Sequence, residues 1–390
     1  MEPLNRGITQ SSLPEGVIDL GLGHPNDALL PHAQLAQAAA HRYAVGDPSF
    51  LQYGAEAGSG PLREALAAFL QQATGVGTAP SSLFISNGVS QALDLICTLF
   101  TRPGDCVVVE EPTYFLALRI FADHGLVPAA APTDANGLVV EWLEEELRSG
   151  LRPALVYTVP THQNPSGVTL SAARRAALVE LSRRFAFRIV ADEVYHLLTF
   201  EGAPPPPLAA WADEPTVISL GSFSKILAPG LRLGWLQAAP EAIAALSGCG
   251  LLDSGGGLNP HTGAVVQSVL ELGLLAPNVA HLNATYRARR DLLAAALQRE
   301  LPQAHFAVPA GGYFLWASLG EGVDAGEVAA RAERHGVGLR AGERFAPERS
   351  AGAPQRHNPR LSSMARLCFA YYDAADLEEG VRRLASAVSG

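Results

Sequence analysis

Ser222-Phe223-Ser224-Lys225-Ile226-Leu227-Ala228-Pro229-Gly230-Leu231-Arg232-Leu233-Gly234 contains the only lysine of a 390-residue chain whose 28 basic residues are otherwise all arginines. A guanidinium keeps its proton in a protein, whereas a desolvated ammonium can lose one and attack a carbonyl to form a Schiff base. The stretch therefore has two readings: the chance survivor of an arginine-rich coding bias, or an amine kept for carbonyl chemistry. Its neighbours favour the second. Two serine hydroxyls, a Pro-Gly turn and Arg232 suit an anionic cofactor.

Upstream, short apolar runs alternate with helix-period stretches: LFISN (83–87), CVVVEEPTY (106–114), ALVYTVP (154–160) and RIVADEVY (188–195). Such runs between amphipathic helices read as buried parallel strands of an α/β sheet, and ligands of such sheets bind beyond the strands' carboxyl ends. Downstream of Asn259 a long helical stretch, Val279 to Glu300, precedes apolar segments at 311–319, 336–340 and 366–371, which suits a smaller α+β lobe. Arg287, Arg289 and Arg290 read as the solvated basic face of a connecting helix, and 346–363 as a polar excursion.

Composition narrows the function. Net charge is −10 with no lysine clusters, which argues against a nucleic-acid surface or an anionic membrane. Cys97, Cys106, Cys249 and Cys368 are scattered without metal-ligand spacing, so reduced thiols in a cytoplasmic protein are expected, with no metal site. The first residues, MEPLNRGITQSSLPEG, lack a signal-peptide core, and no apolar run reaches the ~18 residues of a membrane span.

The suggestive residues gather at strand ends. Asn87-Gly88-Val89-Ser90 opens a helix whose free N–H groups suit a phosphate, with Ser90 as an ordinary cap the alternative. Asp192 leaves RIVA either as a helix cap or as the partner of a protonated ring nitrogen. Tyr195 either donates to a phenolate oxygen or packs between lobes, and Tyr114 either stacks on a ring or packs in the core. Asn164 precedes a proline, which holds it away from helix with its amide free for a ligand. Arg366 enters the apolar run RLCFAYY, where its planar fork matches a carboxylate.

The order NGVSQALDL, EEPTYF, PTHQNPSG, ADEVY, SFSKxxxPGLRLG, PAGGYFLW and RLCF resembles the fold-type-I pyridoxal-phosphate enzymes of the class I/II aminotransferase family, in the branch with 2-aminoadipate, kynurenine and aromatic aminotransferases. The resemblance spans about Gly21 to Arg383. It implies an α/β large domain (45–270) with a mostly parallel seven-stranded sheet and a smaller α+β domain (271–390), the segment 1–44 belonging to the small domain and covering the active site. It implies a ping-pong aminotransferase with pyridoxal 5′-phosphate on Lys225; a lyase, decarboxylase or cyclase of the same fold is the alternative.

By the same resemblance Asp192 pairs with the ring nitrogen, Asn164 and Tyr195 with the phenolic oxygen, and Tyr114 stacks on the ring. Val89 and Ser90 N–H groups, Ser222, Ser224 and Arg232 take the phosphate, helped by Tyr53 of a second subunit, so a homodimer with shared sites is implied. Arg366, Asn164 and the Gly23 backbone hold the substrate α-carboxylate. Two departures bear on substrate: the family's longer N-terminal helix with its basic residue is missing, and its paired glycine becomes Leu22-Gly23. A neutral aliphatic or aromatic donor is the resulting expectation. His24 reads either as a replacement cation or as a hydrogen-bonded loop residue, and His162 either touches the cofactor edge or packs its turn.

Overall fold

The computed structural model describes residues 16–347 and 359–390; the extreme N-terminus and most of the 346–363 excursion lie outside the described residues. In chain order the strands are β1 (Ile18–Asp19), β2 (Leu83–Ser86), β3 (Cys106–Glu111), β4 (Val127–Asp134), β5 (Gly137–Leu138), β6 (Pro153–Thr158) and β7 (Arg188–Asp192). They continue with β8 (Val217–Ser222), β9 (Gly234–Ala238), β10 (His305–Phe306), β11 (Phe314–Ser318), β12 (Val337–Gly338), β13 (Arg340–Ala341) and β14 (Met364–Cys368).

The large sheet runs β2-β9-β8-β7-β6-β3-β4, with the two-residue β5 hairpinned on its edge as an eighth strand. β4, β3, β6, β7 and β8 are mutually parallel, and only β9 of the seven runs against the rest. Val107, Val108 and Val109 of β3 and Ile189, Val190 and Ala191 of β7 are fully buried, as strands covered by helices on both faces require. This agrees with the sequence reading of apolar, non-alternating runs.

A second sheet, β10-β11-β14-β13, is antiparallel, and β1 pairs in parallel with β12, tying the N-terminal segment to the later part of the chain. The connecting helix spans Leu275–Glu300. One expectation fails there: Arg290 is buried, donating to Pro309 O (2.7 Å), Glu201 (2.6 Å) and Asp291 (2.6 Å). Arg289, half-buried, donates to Ala370 O at 2.7 Å. Both arginines clamp the helix to neighbouring loops; Arg287 is the more solvated of the three, its side chain 55 % exposed. Among the described residues no single helix is long and apolar enough to cross a membrane, and no cluster of His, Cys, Asp or Glu could hold a metal.

Candidate active site

Because the central strands share one direction, the loops after β3, β6, β7 and β8 leave from one edge of the sheet. β9 runs the other way and so begins there, with Gly234 paired to Ser222 on one side and Ser86 on the other. That register brings Arg232 against Asn87-Gly88, where its Nη2 donates to Asn87 O at 3.4 Å. Gly88 has φ +84°, and a Cβ there would lie 3.0 Å from Arg232 Nη2, so glycine is needed both for the turn and for the guanidinium's approach. Gly88 is also the N-cap of the helix Val89–Phe100. Ser90 is therefore inside the first turn and not its cap, and the N–H groups of Val89 and Ser90 are among those a helix leaves unpaired.

An open cleft with about 1130 Å³ of unfilled space lies at this edge, and Gly23, Val89, Ser90, Tyr114, Asn164, Asp192, Tyr195, Ser222, Ser224, Lys225, Arg232 and Arg366 all line it. Tyr53 does not: it is 85 % exposed and borders a separate hollow with Arg42 and Asn259. His162 also lies elsewhere, its Nε2 bonded to Thr199 Oγ1 at 2.8 Å, which is the packing reading of that residue.

Lys225 Nζ donates to Gly23 O at 3.1 Å and stands 5.0 Å from the Tyr313 ring centroid. Burial, the largest cause, with the charges of Arg366 and Arg232, pushes the amine down to about 8. Asp192 is buried; its Oδ2 accepts from Tyr157 Oη at 2.8 Å while Oδ1 has no partner. Burial raises this carboxyl to about 6. An unpaired buried acceptor costs roughly 1–3 kcal/mol, so Oδ1 is an acceptor at the cleft wall that a donor on a bound ligand would satisfy.

Arg366 is similarly unfinished. Its Nη1 donates to Asn164 Oδ1 (2.9 Å), its Nη2 to Gly21 O (2.8 Å), and its Nε is buried without a partner. The guanidinium lies 4.0 Å from the Phe314 centroid and forms no ion pair with a described carboxylate. Burial pushes it down to about 10, as expected of a cation lacking an anion. Tyr195 packs edgewise on Phe314, with 6.1 Å between centroids, and is held well above the ordinary phenol range by burial. Ser222 Oγ accepts from Ser224 N at 3.0 Å, which closes the turn leading into Lys225.

Three residues enter the site without having been singled out in the sequence. Tyr157, in the apolar β6, reads as core until its hydroxyl is seen on Asp192. Glu110, buried and raised by that burial to about 7, accepts from Thr158 Oγ1 (2.7 Å), Val159 N (3.1 Å) and Gln163 Nε2 (3.2 Å), bracing the loop that carries Asn164. Arg340, at the start of the two-residue β13, lines the cleft beside Arg366.

An amine, an unpaired buried carboxylate oxygen, a helix N-terminus with an adjacent arginine, and an aromatic wall fit pyridoxal phosphate group by group. Fold and cleft together define a fold-type-I pyridoxal-phosphate enzyme. Residues 15–384 match the family Aminotransferase class I and II, and the chain belongs to that family.

The chain is 36 % identical to aromatic-amino-acid aminotransferase 1 of Thermococcus litoralis over 87 % of this chain and 80 % of that one. It superposes on the kynurenine aminotransferase of Pyrococcus horikoshii, solved with PMP, with a TM-score of 0.87 at 34 % identity, covering 96 % and 91 % of the two chains. The α-aminoadipate aminotransferase of Thermus thermophilus, solved with N-(5′-phosphopyridoxyl)-L-leucine, gives 0.85 at 30 % identity over 99 % and 95 %. The protein is thus a pyridoxal-phosphate-dependent aminotransferase, moving an amino group between an α-amino acid and a 2-oxo acid.

Proposed function

We propose that transamination runs on Lys225, Asp192 and Arg366 of this cleft, completed by Tyr53 of a second subunit. The observation that carries the reading is the meeting of the chain's sole side-chain amine with the unpaired Oδ1 of Asp192 in one cleft. When bound, pyridoxal phosphate supplies an electron sink for the pair left at the substrate Cα. Lys225 Nζ would hold the cofactor through its aldehyde, with loss of water, and as a free amine would take up and return the proton at the substrate Cα. Asp192 holds the ring nitrogen's proton through Oδ1, with Tyr157 fixing the other oxygen. Arg366, aimed by Asn164 and Gly21, takes the substrate α-carboxylate in a charge-assisted fork.

Val89 and Ser90 N–H groups, Ser222, Ser224 and Arg232 hold the phosphate, whose dianion suits the positive end of a helix dipole. Tyr114 and Tyr195 bound the ring and its phenolic oxygen, with Asn164 alongside. The domain division 45–270 and 271–390, with 1–44 assigned to the small domain, of which 1–15 lie outside the described residues, is part of the same reading, as is a cytoplasmic location, supported by four unpaired cysteines. Adding a panel of amino acids to the loaded protein should convert it stoichiometrically to the aminated form with release of the matching 2-oxo acid. Ammonia released together with pyruvate would instead support a lyase.

The dimer is supported by large apolar side chains left exposed in the segment that carries Tyr53, namely Tyr43 (57 % exposed), Val45 (55 %) and Leu51 (60 %). If Tyr53 reaches the partner's phosphate site, each site draws on both chains. Mixing Tyr53→Phe with Lys225→Ala subunits should then restore part of the activity that each homodimer lacks, since one of the two sites in a heterodimer keeps both native residues. A monomer at working concentration, or no recovery on mixing despite a damaging Tyr53→Phe, would end that part of the reading.

A further inference from the structure

Segment 19–24 threads between two arginines. Arg340 of β13 and Arg366 of β14 are direct partners in the antiparallel ladder, so both side chains leave the same face of the sheet. Gly21 lies between them: its carbonyl accepts from Arg366 Nη2 at 2.8 Å, and a Cβ on it would meet Arg340 Cγ at 2.8 Å. The two guanidiniums are therefore neighbouring fixtures of one wall.

Arg366 is accounted for by the α-carboxylate, whereas Arg340 has no part in that reading. Its guanidinium is bound from behind, with Nη2 on Asp19 Oδ2 (2.9 Å) and Nη1 on Asp19 Oδ1 (3.4 Å) and Leu339 O (3.3 Å). Asp19 is itself buried, its Oδ1 accepting from Gly21 N at 2.8 Å, and it does not line the cleft. The Arg340 side chain is 29 % exposed and does line it. Nε makes no protein hydrogen bond among those of the described residues, so a donor edge remains. A carboxylate behind an arginine whose other edge faces a cavity orients that arginine toward an incoming anion.

His24, also in the cleft, does not supply this charge. Its imidazole is pushed below its ordinary range by burial first, then by Lys225, Arg366 and Arg340, and so it is neutral near pH 7. The expectation of a neutral donor rested on the missing N-terminal basic residue and on Leu22 in place of a glycine; Arg340 is a cation lining the cleft that neither departure took into account.

We propose that Arg340, held by Asp19, is a specificity-determining residue that receives a second carboxylate, so that the cleft accepts amino acids and 2-oxo acids whose side chains end in a carboxylate. The proposal rests on the assignment of Arg366 to the α-carboxylate. With one acceptor fixed, wild type should use L-glutamate or L-2-aminoadipate at least as well as L-leucine. Arg340→Met should lower the glutamate-to-leucine ratio of kcat/KM by tenfold or more, chiefly through KM for glutamate. Arg340→Lys, which keeps the charge and loses the fork, should lower it less; the same comparison serves if the methionine variant does not fold.

Glutarate, which has two carboxylates and no amine, provides a readout without turnover. Its Kd for the holoenzyme, measured by calorimetry, should rise tenfold or more in Arg340→Met, while butanoate changes less. Equal losses for glutamate and leucine, or an unchanged glutarate Kd, would overturn the proposal. Failure of every amino acid in wild type would count against the assignment of the cleft itself, and glutarate binding would still decide Arg340.

Discussion

Lys225→Ala should abolish transamination, with kcat falling by about 10⁴-fold or more, the upper range for removing a positioned proton carrier. No other side-chain amine exists in the chain to replace it. The variant should still fold and bind pyridoxal phosphate, because Val89, Ser90, Ser222, Ser224 and Arg232 remain to hold the phosphate. Borohydride reduction of the loaded wild type should fix the cofactor to the peptide containing Lys225, and the variant should take no label. The pH dependence of loading gives a second check. Only the neutral amine attacks the cofactor's aldehyde, and burial has pushed this amine to about 8. The loading rate of the cofactor-free protein should rise with pH up to about 8 and then level. An ordinary lysine, near ~10.4, would keep rising for two further pH units. Near-normal turnover in Lys225→Ala, or label on another residue, would overturn the mechanism.

The parts of the site legible in the sequence were those announced by a conflict between a residue and its surroundings. One amine among arginines, Asp192 at the exit of RIVA, and Arg366 inside RLCF each break a local rule that packing alone would respect. The strands were legible because apolar runs covered on both faces leave no alternation to confuse. Tyr157 was not, since a tyrosine in the apolar stretch ALVYTVP breaks no rule; only β6 lying beside β7 brings its hydroxyl to Asp192. Arg340 escaped for the opposite reason. It lies at a two-residue strand, too short for any periodicity, and its partners Asp19 and Arg366 are distant in sequence. The clamp made by Arg290 was hidden likewise, because i,i+1 and i,i+3 arginines on a long helix read as surface until Glu201 and Pro309 close over one of them.

Asp192→Asn should separate catalysis from stability in opposite directions. The carboxylate is the one group in the cleft whose negative charge can keep a ring nitrogen protonated, and replacing it by a neutral amide of the same shape should lower kcat by on the order of 10²–10³, about 2.7–4 kcal/mol of lost electrostatic stabilisation. The cofactor-free protein should respond the other way. Burial holds this carboxyl at about 6 when folded, against ~3.9 for an unfolded chain. Between those values the folded state binds more protons than the unfolded one, so wild-type stability falls as pH rises through the window and stays reduced above it. An asparagine keeps the bond from Tyr157 and carries no charge to bury. Cofactor-free Asp192→Asn should therefore melt higher than cofactor-free wild type at pH 7 to 8, by on the order of 1–3 kcal/mol, and the difference should shrink toward pH 4 as the wild-type carboxyl protonates. In the loaded proteins the gain should vanish, because the bound ring nitrogen then partners Oδ1. A variant that keeps most of its activity would refute the electron-sink assignment. One that loses activity and also melts lower at every pH would show that Asp192 holds the fold together, and that its unpaired oxygen is not waiting for a ligand.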